Sequence, residues 1–243
     1  MSWAPFIIKG EDRPEKWLVT CDHATNAVPP GIETLGLSAS DMQRHIAFDP
    51  GAFEVAQELG QLLNAPVIGA NFSRLVIDPN RGGDDPTLLM KLYDGTLIPG
   101  NRHADAAEVA RRKALCYDPY DRAMARLAAR PGTIIVSIHS FTPQLRGRAK
   151  RPWQIGILYA HDTRIAHPLM DSMRRNKDLC VGDNEPYRGH LPGDAIDRHG
   201  LRHKRPNVLI ELRQDLIASA KDQKTWARWL APELEEARKK ADL

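Results

Sequence analysis

Cysteine is scarce in this chain. Cys21, Cys116 and Cys180 are odd in number, far apart and outside any CxxC pattern, which leaves neither a disulfide framework nor a cysteine zinc site and fits a reducing cytoplasm. An excess of charge of one sign is missing too. Lys and Arg total 34 against 31 Asp and Glu, a net charge of +3, too little to argue for nucleic acid. Two basic clusters, RGRAKR and RHGLRHKR, would suit such a partner only with a recognition motif beside them, and none is there. The N-terminus turns charged after a few apolar residues and no run reaches membrane-spanning length, so neither a signal-peptide core nor a membrane helix is expected. No GxSxG elbow surrounds Ser137 or Ser140, which argues against a serine hydrolase. Internal repeats, low-complexity tracts and composition shifts are likewise absent, so one domain over 1–243 is expected.

What is present is a series of apolar runs of strand length: WLVTC, PVIGA, RLVID, TIIVSI, WQIGILYA and NVLIEL, with a weaker LCVG. They are near-continuous rather than alternating, as in strands covered on both faces. Helical periods lie between them. In DPGAFEVAQELGQLLNA, Val55, Leu59, Leu62 and Leu63 form a core-facing stripe, with Asp49 and Pro50 as starting residues. The segment ADAAEVARRKALCYDPYDRAMARLAAR reads as one helix or as two meeting near Pro119, and Pro232 in WARWLAPELEEARKK is expected to begin a new helix. Strands alternating with helices predict an α/β fold, a three-layer αβα sandwich on a parallel or mixed sheet. Two loops stand out. TPQLRGRAKRP is short and basic, a solvated surface or a lid over an anion; NEPYRGHLPGDAIDRHGLRHKRP is long enough to be functional or to contain a short helix.

Ligands of open α/β sheets collect where strands end. Here WLVT runs into Cys21, Asp22, His23 and Asn26, RLVI into Asp78, Asn80 and Arg81, TIIVSI into His139, and NVLI into Glu211 and Arg213. If these ends share one side of the sheet, they assemble what a mononuclear hydrolytic zinc site needs: two imidazoles and a carboxylate as ligands, plus a separate carboxylate base. A single strand-end histidine is more often a hydrogen-bonded structural residue, and that is the expectation for His45, His103, His161, His167 and His203. His23 and His139 are singled out only as a pair. Glu211 inside a core strand would be costly unless paired or functional. Asp78 reads as a structural carboxylate that positions Arg81, and Cys21 as a small core residue.

The runs CDHATNAVPPG, HIAFDPGA, SRLVIDPNRGGDDPTLL, SIHSFTP, VGDNEPY and IELRQDLI resemble the N-formylglutamate amidohydrolases, in the family's order and over nearly the whole chain. That family is similar in fold to zinc carboxypeptidases and aspartoacylases, which implies a phosphorylase/hydrolase-like sandwich with a mixed sheet. The resemblance implies one zinc ion per chain, with His23 and His139 as ligands. It departs at the third ligand: where the related enzymes carry HxxE, this chain has Asn26, whose neutral amide compensates a cation poorly. Asp49 is favoured instead, with Asp22 in reserve. By the same likeness Asn80 and Arg81 would hold a substrate carboxylate, Arg74 would polarise the scissile carbonyl, and Glu211 would be the general base.

The implied reaction is hydrolysis of the amide of a small N-acyl amino acid such as N-formyl-L-glutamate. Zinc lowers the pKa of water from about 15.7 to about 7, whereas a carboxylate base contributes about 10²–10⁴ in rate. Asn184, Tyr187, His199 and Arg213 are further candidates for the pocket wall. The missing HxxE glutamate leaves a second reading open, a non-catalytic small-acid or metal-binding protein on the same scaffold.

Overall fold

The structure, a computed structural model, describes residues 3–32 and 34–243. Along the chain come β1 (Phe6–Lys9), β2 (Trp17–Cys21), α1 (Ala39–Met42), α2 (Ala52–Leu62) and β3 (Val67–Ala70). A small hairpin of β4 (Leu92–Tyr93) and β5 (Thr96–Leu97) precedes α3 (Ala106–Arg112) and α4 (Asp118–Ala128). The remaining elements are β6 (Ile134–Phe141), β7 (Ile155–Leu158), α5 (Ala166–Met173), β8 (Val181–Asp183), α6 (Ala195–His199), β9 (Asn207–Arg213) and α7 (Ala220–Lys240). Seven strands form one sheet in the order β1-β3-β2-β6-β9-β7-β8. β3, β2, β6 and β9 run parallel, β1 opposes β3, and β7 opposes β9 with β8 parallel to β7. The sheet is therefore mixed, with helices on both sides.

The two faces differ because side chains alternate along a strand. Val19, Val136, Ile138, Val208, Ile210 and Leu212 join the apolar layer made with α2, α5 and α7. Leu18, Ile135 and Leu209 point the other way, toward α4 and α6. The residues that follow them at the same parity are Thr20 and Asp22, Ser137 and His139, and Glu211, all buried. On that second face each central strand thus turns from apolar to polar as it approaches its C-terminal end.

Two sequence expectations are corrected and a third is refined. RLVID is not a strand: residues 74–76 form a buried turn and 77–78 continue it as buried irregular chain. Two of its backbone carbonyls are satisfied by side chains instead of a ladder, Asn101 Nδ2 donating to Leu75 O and Arg112 Nη1 to Val76 O, so continuous burial imitates a strand's hydropathy. Pro232 does not begin a helix, because α7 continues through it. The stripe Ala227, Leu230, Ala231, Leu234 and Ala237 packs α7 against α2 and α5, and that burial offsets the missing proline N–H. Near Pro119 the chain neither breaks nor stays regular: a π-helical turn at Lys113–Tyr117 joins α3 to α4, with the proline in the first turn of α4.

Candidate metal and active site

His139 lies within β6 and Glu211 is its register partner on β9. His23 follows β2 by two residues. Asp49 reaches the same place from the turn before α2, where its N–H donates to His23 O at 3.0 Å. That turn depends on Gly51, which caps α2 in the left-handed region with φ 79°. A Cβ there would meet Ile217 O at 2.4 Å, so any other residue would push Asp49 away from the strand ends.

His23, Asp49 and His139 each offer a ligand atom, all within 4.8 Å of one another. Asp49 Oδ2 is the centre of the cluster, 3.2 Å from His23 Nδ1 and 2.9 Å from His139 Nδ1, and it accepts a bond from the Ser140 N–H at 3.3 Å. The two rings meet edge to face at 4.9 Å. Each imidazole is also held from behind. His23 Nε2 lies 2.8 Å from Asp78 Oδ1, and Arg74 Nη2 donates to Asp78 Oδ2 at 2.9 Å. His139 Nε2 lies 3.1 Å from Ser137 Oγ and 3.4 Å from Asp22 Oδ2, while the Tyr120 hydroxyl donates to Asp22 Oδ1 at 2.7 Å. Such carboxylates behind imidazoles fix ring orientation, here with both Nδ1 atoms aimed at one point. Asp78, expected to position Arg81, accepts the Asn80 N–H through Oδ1 at 2.9 Å and the Arg81 N–H through its carbonyl at 3.2 Å, and it also backs His23. Asp22 stands behind His139, and Asn26 donates to Met42 O away from the cluster.

The electrostatics favour a cation. Burial alone would raise the Asp49 and Asp78 carboxyls, yet His23 holds both well below the usual range, helped by His139 at Asp49 and by Arg74 and Arg81 at Asp78. Burial alone would lower the His139 pKa, but its contacts with Asp22 and Asp49 push it up to about 10. Three carboxylates, Asp22, Asp49 and Asp78, close around two buried imidazoles thus favour positive charge at that point. Glu211 differs: burial raises its pKa, and Asp49 adds to the rise against the pull of His139 and Arg74. Asp49 Oδ1, Glu211 Oε2, Asp22 Oδ2, Arg74 Nε and His45 Nδ1 are buried without hydrogen-bond partners. Native chains rarely leave such atoms unpaired, so their concentration here marks a place built for a ligand.

The cluster forms the floor of a cavity of about 410 Å³ that also exposes Glu211, Arg74, Asn80, Arg81 and Tyr187. Asn80 Oδ1 accepts the Ala195 N–H at 3.1 Å, at the start of α6. Arg81 donates through Nε to Thr87 Oγ1 and through Nη1 to Asn80 O, and forms no ion pair among the described residues. The backbone around it is clamped by Arg198, which donates to Pro79 O, Arg81 O and Gly193 O and pairs with Asp121. Tyr187 is stacked by Arg151, whose guanidinium lies 5.0 Å from that ring and 5.6 Å from Phe141; the basic TPQLRGRAKRP loop therefore braces the cavity wall. On β7, Gly156 is the register partner of Glu211. A Cβ at Gly156 would meet Glu185 O at 2.0 Å.

Three expected wall residues lie outside this cavity. Asn184 accepts the Tyr159 N–H and supports the 184–189 segment from behind. His199 pairs with Asp121 at 2.7 Å, and Arg213 with Asp215 at 2.8 Å. His45, expected to be structural, lines the cavity, as do Tyr93 and Arg188. The i, i+4 spacing of His45 and Asp49 in HIAFDPGA was the available signal for the first; nothing in the sequence marked the other two.

The family profile described as N-formylglutamate amidohydrolase matches residues 15–218. A solved structure of gene product Atu2144 from Agrobacterium tumefaciens is 33% identical, with a TM-score of 0.90 over 98% of this chain and 96% of that one. The N-formylglutamate amidohydrolase from Ralstonia eutropha JMP134 shares the fold at 20% identity, with a TM-score of 0.69 over 96% of this chain and 99% of that one. No curated protein shows a significant match. With a profile match across most of its length, the chain belongs to the N-formylglutamate amidohydrolase family.

Proposed function

We propose that the cavity hydrolyses the amide bond of a small N-acyl amino acid, N-formyl-L-glutamate being the family's named substrate, with one zinc ion held by His23, Asp49 and His139. The observation that carries the proposal is the convergence of those three ligand atoms within 4.8 Å at the floor of the cavity that also exposes Glu211 and Arg81. Two imidazoles and one carboxylate are a donor set that suits zinc and leaves a coordination position free. When bound, zinc supplies a Lewis acid that polarises a carbonyl and acidifies water.

The chain's own residues supply the rest. Arg81 presents a planar fork with no carboxylate partner among the described residues, suited to two-point recognition of a substrate carboxylate. Asn80, its Oδ1 occupied by the Ala195 N–H, has its amide N–H groups left to donate to the same carboxylate. Glu211 takes a proton from the attacking water and returns it to the departing nitrogen, so that water and amide become formate and a free amino acid. Its raised pKa suits a group that must take and give a proton near neutrality. Arg74, charged and fixed by Asp78, offers positive charge to the oxygen on which negative charge develops.

The test is release of formate from N-formyl amino acids and of acetate from N-acetyl amino acids, with metal-stripped and zinc-restored protein compared. Release that requires zinc and favours a carboxylate-bearing N-formyl substrate is expected. Zinc-restored protein that releases no acid from any of them refutes the enzyme reading.

A further inference from the structure

Resting on the metal reading above, we propose that His45 is a positioning residue that engages the second oxygen of Asp49 and thereby keeps the first turned toward His23 and His139. Asp49 presents its two oxygens to different surroundings. Oδ2 faces both imidazole Nδ1 atoms and the Ser140 N–H. Oδ1 faces away from them, 3.4 Å from His45 Nδ1 and 3.6 Å from Arg74 Nη1. Both Oδ1 and His45 Nδ1 are buried and otherwise unpartnered. Two such atoms, each costly to leave unpaired and 3.4 Å apart, are brought into one hydrogen bond by a small rotation of the imidazole that turns its N–H toward the oxygen.

Arg74 is the weaker candidate for this task, because its Nη2 is committed to Asp78 at 2.9 Å and its Nη1 is the more distant donor. A neutral imidazole has one N–H to give, and with it on Nδ1 the ring becomes a donor to Oδ1. The turn carrying His45 is itself fixed: Ala47 O accepts from Ser73 Oγ at 2.7 Å and from Arg74 N at 3.2 Å. Ala47 N–H donates to Arg44 O at 3.0 Å, closing the turn around His45. His45 and Arg74 are therefore fastened to one another through Ala47, and together they bracket Oδ1. Without His45 the carboxylate can rotate, and Oδ2 leaves the point at which the two imidazoles aim. Partners of this kind behind a metal ligand are worth about 10–100-fold in metal affinity.

The experiment measures zinc affinity of the full chain by competition with a chromophoric chelator, for the native protein and for His45→Ala, His45→Gln and His45→Asn. Asn places an amide N–H near the Nδ1 position, whereas the Gln amide lies where Nε2 does. Ala and Gln are expected to weaken zinc by about 10–100-fold, and Asn to recover most of that loss, with circular dichroism of the metal-free proteins unchanged. Native-like zinc affinity in His45→Ala, or an Asn variant as weak as the Gln variant while folded, overturns the proposal. Should His45→Ala fail to fold, the Asn and Gln pair decides. A native chain that binds no zinc overturns the metal reading as well, whereas tight native binding indifferent to residue 45 overturns this inference alone.

Discussion

His139 and Glu211 face each other as register partners on the adjacent parallel strands β6 and β9. The candidate metal ligand and the candidate base therefore belong to one hydrogen-bonded ladder, and their separation is set by sheet geometry rather than by loop position. Glu211→Gln keeps size and packing while removing proton transfer. It is expected to lower kcat by about 10²–10⁴ with zinc content unchanged by elemental analysis. His139→Ala is expected to lose stoichiometric zinc; full zinc occupancy in that variant removes it from the ligand set.

On the proposed function, recognition of a substrate carboxylate is separable from chemistry. Arg81→Lys keeps the charge but replaces a planar fork with a point charge. KM for a carboxylate-bearing N-formyl substrate is expected to rise by about tenfold, on the order of 1.4 kcal/mol, with a smaller change in kcat. Equal KM values for carboxylate and carboxamide substrates in the native enzyme count against the assignment.

Tyr120→Phe tests the support behind His139. The hydroxyl donates to Asp22 Oδ1 at 2.7 Å, and both residues are buried. Its removal leaves a buried carboxylate oxygen without that donor, and a loss of about 1–3 kcal/mol in unfolding free energy is expected, read from urea denaturation of the metal-free chain. An unchanged midpoint means that Asp22 finds another donor.

Asp121 provides a pH signature away from the metal cluster. Burial alone would raise its pKa, but His199 and Arg198 lower it from 3.8 to about 2. A carboxyl depressed in the folded state stabilises the fold above its unfolded value and loses that contribution as pH falls through the folded one. The stability gap between the native chain and Asp121→Asn should accordingly be constant above about pH 4 and close between about pH 4 and pH 2. With the carboxylate 30% exposed, about 1–2 kcal/mol is expected at neutrality after allowance for screening. A gap that persists undiminished at pH 2 contradicts the depressed pKa.

The strands that form the centre of the sheet were legible because burial on both faces writes a continuous apolar run, and β2, β3, β6, β7 and β9 all coincide with one. RLVID carried the same mark for a different cause: its burial comes from a turn capped by Asn101 and Arg112, partners remote in sequence. The convergence of His23 with His139 followed from the expectation that both lie at strand ends on one side of the sheet; β2 and β6 are neighbouring parallel strands. The neighbours of those imidazoles were less legible. Asp22, Asp78 and Tyr120 act through side-chain direction, and a one-residue change in register exchanges one face of a strand for the other. His45 was passed over because an imidazole in a turn looks the same in sequence whether it faces solvent, backbone or a carboxylate.

Gly156 on β7 is the register partner of Glu211, and the carbonyl of Glu185 occupies the space where its side chain would be. The absence of a side chain at Gly156 thus lets the Glu185 backbone, and the cavity-lining Pro186 and Tyr187 that follow it, pack close to the strand beside the candidate base. Enlarging residue 156 would displace the 185–189 segment outward, carrying Tyr187 and Arg188 with it. The pocket would be reshaped at its rim while the ligand cluster on the floor stayed intact. On the proposed function, the rim beside Glu211 and the cluster of His23, Asp49 and His139 are built from different segments of the chain, so one could change without the other.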